Sequence, residues 1–246
     1  AIYRLNDLRN NYNLYLRSPF LNGTRWGFSA GFQRFASVEP LFFGDQSVYY
    51  IYTNLSALGT AIYQLDRRQY IEVGGSFFNE DYLKDDRHVG ESTPGPNGLS
   101  ENKLLFKAIH DINRIDYHFF YQEGFENKVN WQSVYNFKNG TWFHILLNET
   151  KYFKRVGQKG NFASRMRIGV STNTNSPFAP FVLDSYVNIR GAGNRIDRGT
   201  AQLIANLEYR HTLVDRKWLA AQAVGFSDLG TWRKPGGSLS ELWKPK

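Results

Sequence analysis

The sequence has no cysteine and only one methionine in 246 residues. Without cysteine there is neither a disulfide framework nor a thiolate metal site. The chain also has no run of about 18 consecutive apolar residues, the length that a membrane-spanning helix requires. Its formal charge of +8 is spread along the chain, and no single basic run marks a nucleic-acid-binding segment. We therefore expect neither a helical membrane protein nor a nucleic-acid-binding protein.

What the sequence has in abundance is aromatic residues, 16% of the total, placed in segments that alternate apolar and polar side chains. In TRWGFSAGFQRF, residues 24–35, the aromatic residues fall on one face and the small or polar residues on the other. A period of two predicts β-strands. The same period recurs in QYIEVGGSF (69–77), RIDYHFFYQ (114–122), KVNWQSVYNF (128–137), SRMRIGV (164–170) and TAQLIANLEYR (200–210).

The length of these segments and the position of their aromatic residues favour a membrane barrel. Several segments keep their alternation for about nine to twelve residues, enough for a tilted strand to cross a bilayer. Tyr, Trp and Phe crowd near the segment ends, as interfacial girdles do. Alternation alone would also fit a water-soluble sandwich. We expect an all-β fold, a transmembrane antiparallel β-barrel with a polar lumen, as one domain over residues 1–246.

Turn signals separate the strands along the whole chain. Asn22-Gly23 and Asn139-Gly140 predict hairpin turns. The stretch Asp85–Asn102, rich in glycine and polar residues, predicts a longer polar loop.

The motifs that could carry chemistry have simpler explanations. GFSAG at 27–31 matches the G-x-S-x-G pattern of serine hydrolases, but Ser29 lies inside an alternating segment with no helix after it. The five histidines lack metal-ligand spacing. We expect no enzyme, no metal and no cofactor, with catalysis by Ser29 as a remote alternative. The histidines are His88, His110, His118, His144 and His211, and N-x-S/T sequons begin at Asn22, Asn54, Asn139 and Asn148.

The stretch SYVNIRGAGNRIDRG, residues 185–199, is too polar for an ordinary core. Alternation in TAQLIANLEYR directs Glu208 to the polar face, and Phe226, Asp228 and Gly230 share one side of the next strand. A loop that folds back into a polar lumen would bring Arg190 to both carboxylates, because buried charges need such partners. The alternative is a loop solvated on the surface.

Three motifs in this region resemble the signature of the BamA-like superfamily of outer-membrane barrels: IRG (189–191), NLEYR (206–210) and FSDLG (226–230). In that superfamily, which includes assembly factors and two-partner-secretion transporters, an extracellular loop with a V-R-G-F/Y tip folds into the lumen. The resemblance implies that Arg190 and Gly191 form the loop tip. It also implies that Glu208 and the strand residues Phe226, Asp228 and Gly230 anchor it. The family barrel has sixteen strands, whereas roughly ten or more can be drawn in this sequence.

The chain departs from the superfamily pattern in three respects. Ala192 stands where an aromatic residue follows R-G in the family. The periplasmic POTRA domains that receive client polypeptides are not expected in this chain. The sequence ends in ELWKPK without the strands that follow F-x-D-x-G in the family, so we expect an incomplete barrel at this end.

The resemblance implies a non-enzymatic barrel, integral to the bacterial outer membrane, that assembles or translocates proteins. It would act through its lateral strand seam and its lumen loop. The expected partners are client outer-membrane or secreted polypeptides, outer-membrane lipid and further subunits of an outer-membrane complex. The alternative is a passive channel or an accessory barrel subunit of a larger complex.

Overall fold

The computed structural model describes residues 2–4, 11–43, 46–85, 94–173, 179–183, 188–190, 197–216 and 218–243. Most of these residues lie in β-strands. The strands are β1 Ile2–Arg4, β2 Asn11–Ser18, β3 Trp26–Phe43, β4 Gln46–Asp66, β5 Gln69–Lys84, β6 Gly98–Tyr117, β7 Gln122–Asn136, β8 Thr141–Val156, β9 Gly160–Ser171, β10 Phe181–Leu183, β11 Asp197–Gly199, β12 Ala201–Arg216 and β13 Leu219–Arg233.

The main sheet is an antiparallel meander of eleven strands, in which β1 to β9 follow one another and are followed by β12 and β13. β10 and β11 form a separate two-stranded ribbon. The chain therefore leaves the sheet after β9 and returns beside it as β12. We call the part between them, residues 172–200, the lumen loop. β9 ends and β12 begins at the same end of the sheet, which we call the loop end. The β2–β3, β4–β5 and β6–β7 turns lie at the opposite end, which we call the turn end.

The register divides each strand between two faces. On β9, β12 and β13, Arg165, Asn206 and Asp228 lie side by side on the face that carries the lumen loop, which we call the inner face. Successive residues of a strand point to opposite sides of the sheet. The residues that alternate with those of the inner face form the outer face, and many of them are large and apolar. Exposed examples on the outer face are Leu14, Phe32, Leu55, Ile71, Val73, Phe77, Phe106, Trp131, Leu146, Met166, Ile168, Val170, Leu207 and Leu229.

Charged residues of the inner face form ion pairs, both between strands and within a strand. Glu72 of β5 accepts from Lys107 of β6 at 2.9 Å and from Arg17 of β2 at 3.3 Å. Lys103 of β6 lies 2.7 Å from Glu80 of β5. Such pairing offsets the desolvation of each charge. Further pairs join Lys103 to Glu101, Lys151 to Glu126 and to Glu149, Arg167 to Glu149, and Lys128 to Asp111.

The all-β, antiparallel prediction is confirmed, and so are several of its details. Met166, Ile168 and Val170 share the outer face, opposite to Arg165 and Arg167. Asn22-Gly23 and Asn139-Gly140 lie in the β2–β3 and β7–β8 turns. Asn22 and Gly23 both have positive φ, 44° and 75°, the conformation of the favoured two-residue hairpin turn.

The main sheet differs from the sixteen-stranded family barrel, and one predicted strand is wrong. The main sheet has eleven strands, not sixteen, and among the described residues β1 and β13 each pair with one neighbour, so the sheet is open between them. The strands are longer than the sequence predicted, up to 21 residues in β4, so fewer of them fit into the chain. The alternation of 114–122 does not mark one strand: β6 ends at Tyr117 and β7 begins at Gln122.

Helical structure is limited to a 3-10 turn, Leu239–Trp243, in the described residues. None of the helices in the described ranges is long and apolar enough to cross a membrane. The predicted polar loop 85–102 is shorter than expected because β6 already begins at Gly98, and residues 86–93 lie outside the described part of the chain.

Candidate functional site

The lumen loop packs onto the inner face at two glycines. A Cβ atom on Gly169 of β9 would lie 2.7 Å from the ring of Phe181, and one on Gly230 of β13 would lie 2.2 Å from Cδ1 of Ile189. Both distances are shorter than real Cβ contacts, so with a side chain at either position Phe181 or Ile189 would have to shift. Glycine at both positions thus lets Phe181 and Ile189 pack directly against the sheet.

Next to Ile189, the side chain of Arg190 forms a fork with Asp228. Its Nε donates to Oδ2 at 2.8 Å and its Nη2 donates to Oδ1 at 2.8 Å. The backbone N–H of Arg190 also donates to Oδ2, at 2.9 Å. The side chain of Asp228 is only 2% exposed, so its charge depends on these donors. We call Arg190, Glu208, Phe226 and Asp228 the arginine clamp.

The other two members of the clamp contact the remaining parts of the guanidinium. Nη1 of Arg190 donates to Oε2 of Glu208 at 2.6 Å, and Oε1 of the same carboxylate accepts from Nε of Arg210. The guanidinium carbon lies 3.9 Å from the centroid of the Phe226 ring, a cation–π contact. One arginine of the loop therefore contacts two neighbouring strands through three side chains.

The strand register explains why these residues meet. Glu208 of β12 lies directly opposite Phe226 of β13, and Asn206 lies opposite Asp228. Residues two apart on a strand share a face, so the F-x-D-x-G pattern puts its phenylalanine, aspartate and glycine in one row. In this row the Phe226 ring contacts the plane of the guanidinium, and the Asp228 carboxylate accepts its hydrogen bonds. Gly230 leaves room for Ile189.

The clamp keeps Arg190 charged. Its hydrogen bonds to Asp228, and then those to Glu208, raise the pKa of Arg190 further above its ordinary value. An arginine that stays protonated and presents a planar fork suits a permanent bidentate contact better than a lysine does.

Polar residues that the sequence analysis did not single out support the same part of the loop. Asn188 is buried, accepts from Nη1 of Arg167 at 2.6 Å and donates to the carbonyl of Val182 at 2.8 Å. Its own carbonyl accepts from Nδ2 of Asn206 at 2.8 Å. The alternation of β12 places Asn206 on the polar face and could have identified it as a site residue. No feature of the sequence identifies Asn188.

Arg233, at the end of β13, fixes the point at which the lumen loop rejoins the sheet. Its Nε donates to Oγ1 of Thr200 at 2.8 Å, and its Nη2 donates to the carbonyl of Ser171 at 2.8 Å. Arg233 and Thr200 are buried. Because Ser171 and Thr200 stand at the two ends of the loop, one side chain on β13 joins the strand before the loop to the strand after it.

The structure places the predicted site residues as follows. Arg190, Glu208, Phe226 and Asp228 are in contact, and Gly230 adjoins them through Ile189. Gly191, together with Ala192 and Gly193, lies outside the described residues.

The remaining candidates lie elsewhere. Ser29 is 2% exposed within β3, and its Oγ lies 2.5 Å from Oγ1 of Thr60, so it does not stand on a strand-to-helix turn. Among the histidines, His110 and His144 are in β6 and β8, while His88 falls in the undescribed range 86–93. In the described ranges no three His, Asp or Glu residues are grouped to hold a metal ion.

A cavity of about 270 Å³ adjoins the arginine clamp. Charged side chains of four strands and the loop line it, among them Lys151, Arg165, Arg210 and Asp228. This polar space lies between the sheet and the lumen loop. The arrangement can hold a loop in place electrostatically, because the charges of the clamp are paired with one another.

No family model and no curated protein sequence matches the chain. Among solved structures, it is similar to BamA from Haemophilus ducreyi lacking POTRA domains 1–3, with a TM-score of 0.70 and 12% sequence identity. The similarity covers 91% of this chain and 49% of that one, so the chain spans about half the length of the BamA chain. At this identity the similarity establishes the fold, and the fold of this chain is that of a BamA-like barrel.

Proposed function

We propose that this chain, whose fold is that of a BamA-like barrel, belongs to an outer-membrane barrel that assembles or translocates other proteins without chemical catalysis. The observation that carries the proposal is the arginine clamp. A loop that packs on the inner face and is held there by hydrogen bonds to a buried carboxylate costs free energy. It orders a polar segment and desolvates its charges. A passive wall has no need of it.

The outer face supports a position in a membrane. Its exposed large apolar side chains occur on every long strand from β2 to β13, and a barrel surface in contact with lipid has this composition. The inner face carries paired charges instead. A sheet that is apolar outside and polar inside fits the outer membrane, with outer-membrane lipid as its surroundings.

The unpaired edges of the sheet support the proposal that the barrel acts through a lateral strand seam. Among the described residues, β1 and β13 each have one paired neighbour, so the other edge of each strand presents backbone groups to a further strand. An unpaired strand edge binds an extended segment by adding it to the sheet. The client of this seam would be a strand of an outer-membrane or secreted polypeptide, and the lumen loop would set the conformation of the strands beside it.

Client assembly by a clamp variant tests the proposal. In cells that depend on the protein, Arg190→Ala should lower the amount of folded outer-membrane barrels while the variant itself remains in the membrane. Arg68→Ala is a matched control, because Arg68 pairs with Asp116 at the exposed turn end. Normal levels of folded client barrels in the Arg190→Ala cells would contradict the proposal.

The charged inner face also favours a second candidate, a passive channel or an accessory barrel of a larger complex. A water-filled lumen lined with paired charges would let small ions pass. Single-channel recording separates the two candidates. A barrel obstructed by the lumen loop should give small, irregular currents, whereas large and steady currents would favour the channel.

A further inference from the structure

A second arginine of the lumen loop contacts the far side of the inner face. Arg198 lies on β11, and its Nη2 donates to Oε2 of Glu39 on β3. Strands β4 to β9 separate β3 from β12 in the sheet, so this contact joins the loop to a wall remote from the arginine clamp. The two side chains are only 12% and 20% exposed.

Further hydrogen bonds and a ring contact surround this pair, as they surround the clamp. Oε1 of Glu39 accepts from Oγ of Ser37 at 3.1 Å, and Nη1 of Arg198 donates to the carbonyl of Ala179 at 3.4 Å. The guanidinium carbon lies 5.7 Å from the ring centroid of Tyr82. Tyr82 belongs to a buried cluster with Leu41, Val48 and Tyr50.

We infer that Arg198 and Glu39 form a second anchor, which fastens the lumen loop to β3 and makes the loop a strut between two walls of the sheet. Without this contact, the hydrogen bonds of Asn188 and Arg190 attach the loop to β9, β12 and β13, which are neighbours in the sheet. With this contact, the loop also limits how far the β3 wall and the β13 wall can move apart. The inference concerns the position of the loop and stands independently of the proposed assembly function.

The cost of removing one partner argues for an anchoring role. If Glu39 is neutralised, the guanidinium of Arg198 stays half enclosed by Tyr82 and the loop backbone without its carboxylate, and such a charge is strongly disfavoured. The β10–β11 ribbon consists of only two strands of three residues each. Its few backbone hydrogen bonds would not hold it against the β3 wall. The ribbon should therefore leave the β3 wall.

The test uses a single reporter thiol, which is specific because the chain contains no cysteine. Ala179 is completely buried beside Arg198, so Ala179→Cys in the full-length protein in liposomes should react slowly with a polar maleimide. In this background, Glu39→Gln and Arg198→Gln should each increase the labelling rate roughly tenfold or more, because local opening exposes the thiol. Arg68→Gln, which removes an exposed ion pair at the turn end, should leave the rate unchanged.

Exchanging the two charges decides between a specific contact and general loosening. The double variant Glu39→Arg/Arg198→Glu should label within about twofold of the parent, since it restores the pair that each single change destroys. Parental labelling rates in Glu39→Gln and Arg198→Gln would overturn the second anchor. So would fast labelling of the exchanged variant, provided that its denaturation midpoint matches that of the parent. Measuring client assembly on the same variants separates the two proposals: altered labelling with normal assembly would leave the anchor standing and count against the assembly function.

Discussion

Each contact of Arg190 uses a different part of its side chain. Nε and Nη2 face Asp228, Nη1 faces Glu208, and the plane of the guanidinium lies over Phe226. Lysine offers one point charge instead of this fork, and glutamine offers no charge. The clamp is therefore selective for arginine, and its strength can be measured by substitution.

The first prediction concerns the stability that the clamp supplies. Arg190→Gln should lower the free energy of unfolding by about 2 kcal/mol, because it leaves the carboxylate of Asp228 buried without a counter-charge. The figure is at the low end for buried pairs because Arg190 itself is 39% exposed. The free energy of unfolding of Arg190→Lys should lie between those of the parent and of Arg190→Gln. Denaturant unfolding in liposomes gives these values.

The control for this prediction is Arg68→Gln. Its pair with Asp116 is exposed on both sides and should contribute less than about 1 kcal/mol. Equal losses in Arg190→Gln and Arg68→Gln would mean that the clamp has no special strength.

The second prediction concerns the contact between Gly230 and Ile189. Gly230→Ala places a Cβ 2.2 Å from Cδ1 of Ile189, so the Ile189 side chain or the loop has to shift, and the protein should lose about 1–3 kcal/mol of stability. Gly225→Ala on the same strand is the control, since no atom lies within 4 Å of the added Cβ. The second change Ile189→Ala should restore part of the loss caused by Gly230→Ala. A neutral Gly230→Ala would show that the loop is not seated there.

At the scale of the strands, the sequence predicted faces better than it predicted strand ends. SRMRIGV has arginines on one side and aliphatic residues on the other, and a strand can satisfy both only in one orientation. RIDYHFFYQ alternates just as clearly, but the chain reverses at His118–Tyr121, where the N–H of His118 donates to the carbonyl of Tyr121 at 2.9 Å. That turn contains no Gly, Asn or Pro, so the usual turn signal is missing.

The clamp was partly predictable, and the second anchor was not. Glu208, Phe226, Asp228 and Gly230 could be placed on the inner face from alternation alone. The approach of Ile189 to Gly230 and the pair of Arg198 with Glu39, 159 positions apart, depend on how the sheet curves around the loop. A local pattern in the sequence carries no information about that curvature.

The third prediction tests the assignment of the two faces. Ile168→Arg adds a charge to the outer face of β9 and should cost about 2–4 kcal/mol if that face meets the bilayer interior. Asn130→Arg is the matched control on the inner face of β7: Asn130 pairs with Leu147, which pairs with Gly169, the neighbour of Ile168. The control should cost less, because the inner face already accommodates charges. Equal costs in liposome unfolding experiments would contradict the assignment.

At the scale of the whole molecule, the lumen loop connects parts of the sheet that are far apart in the strand order. The arginine clamp holds it to β12 and β13, and Arg233 joins the strands at its two ends. With the second anchor at β3, the loop would limit the separation of the two walls next to the open edges. Under the proposed function, these contacts would let the lumen loop influence the strands that pair with client segments.

The measurement that tests this account most directly is the insertion of an unfolded outer-membrane barrel into liposomes that contain the full-length protein. Protection of the client from added protease reports its insertion over time. The account predicts faster insertion than into empty liposomes, and a clear loss of this acceleration with Arg190→Ala but not with Arg68→Ala. Insertion at the rate of empty liposomes, accompanied by large steady ion currents through the protein, would contradict it.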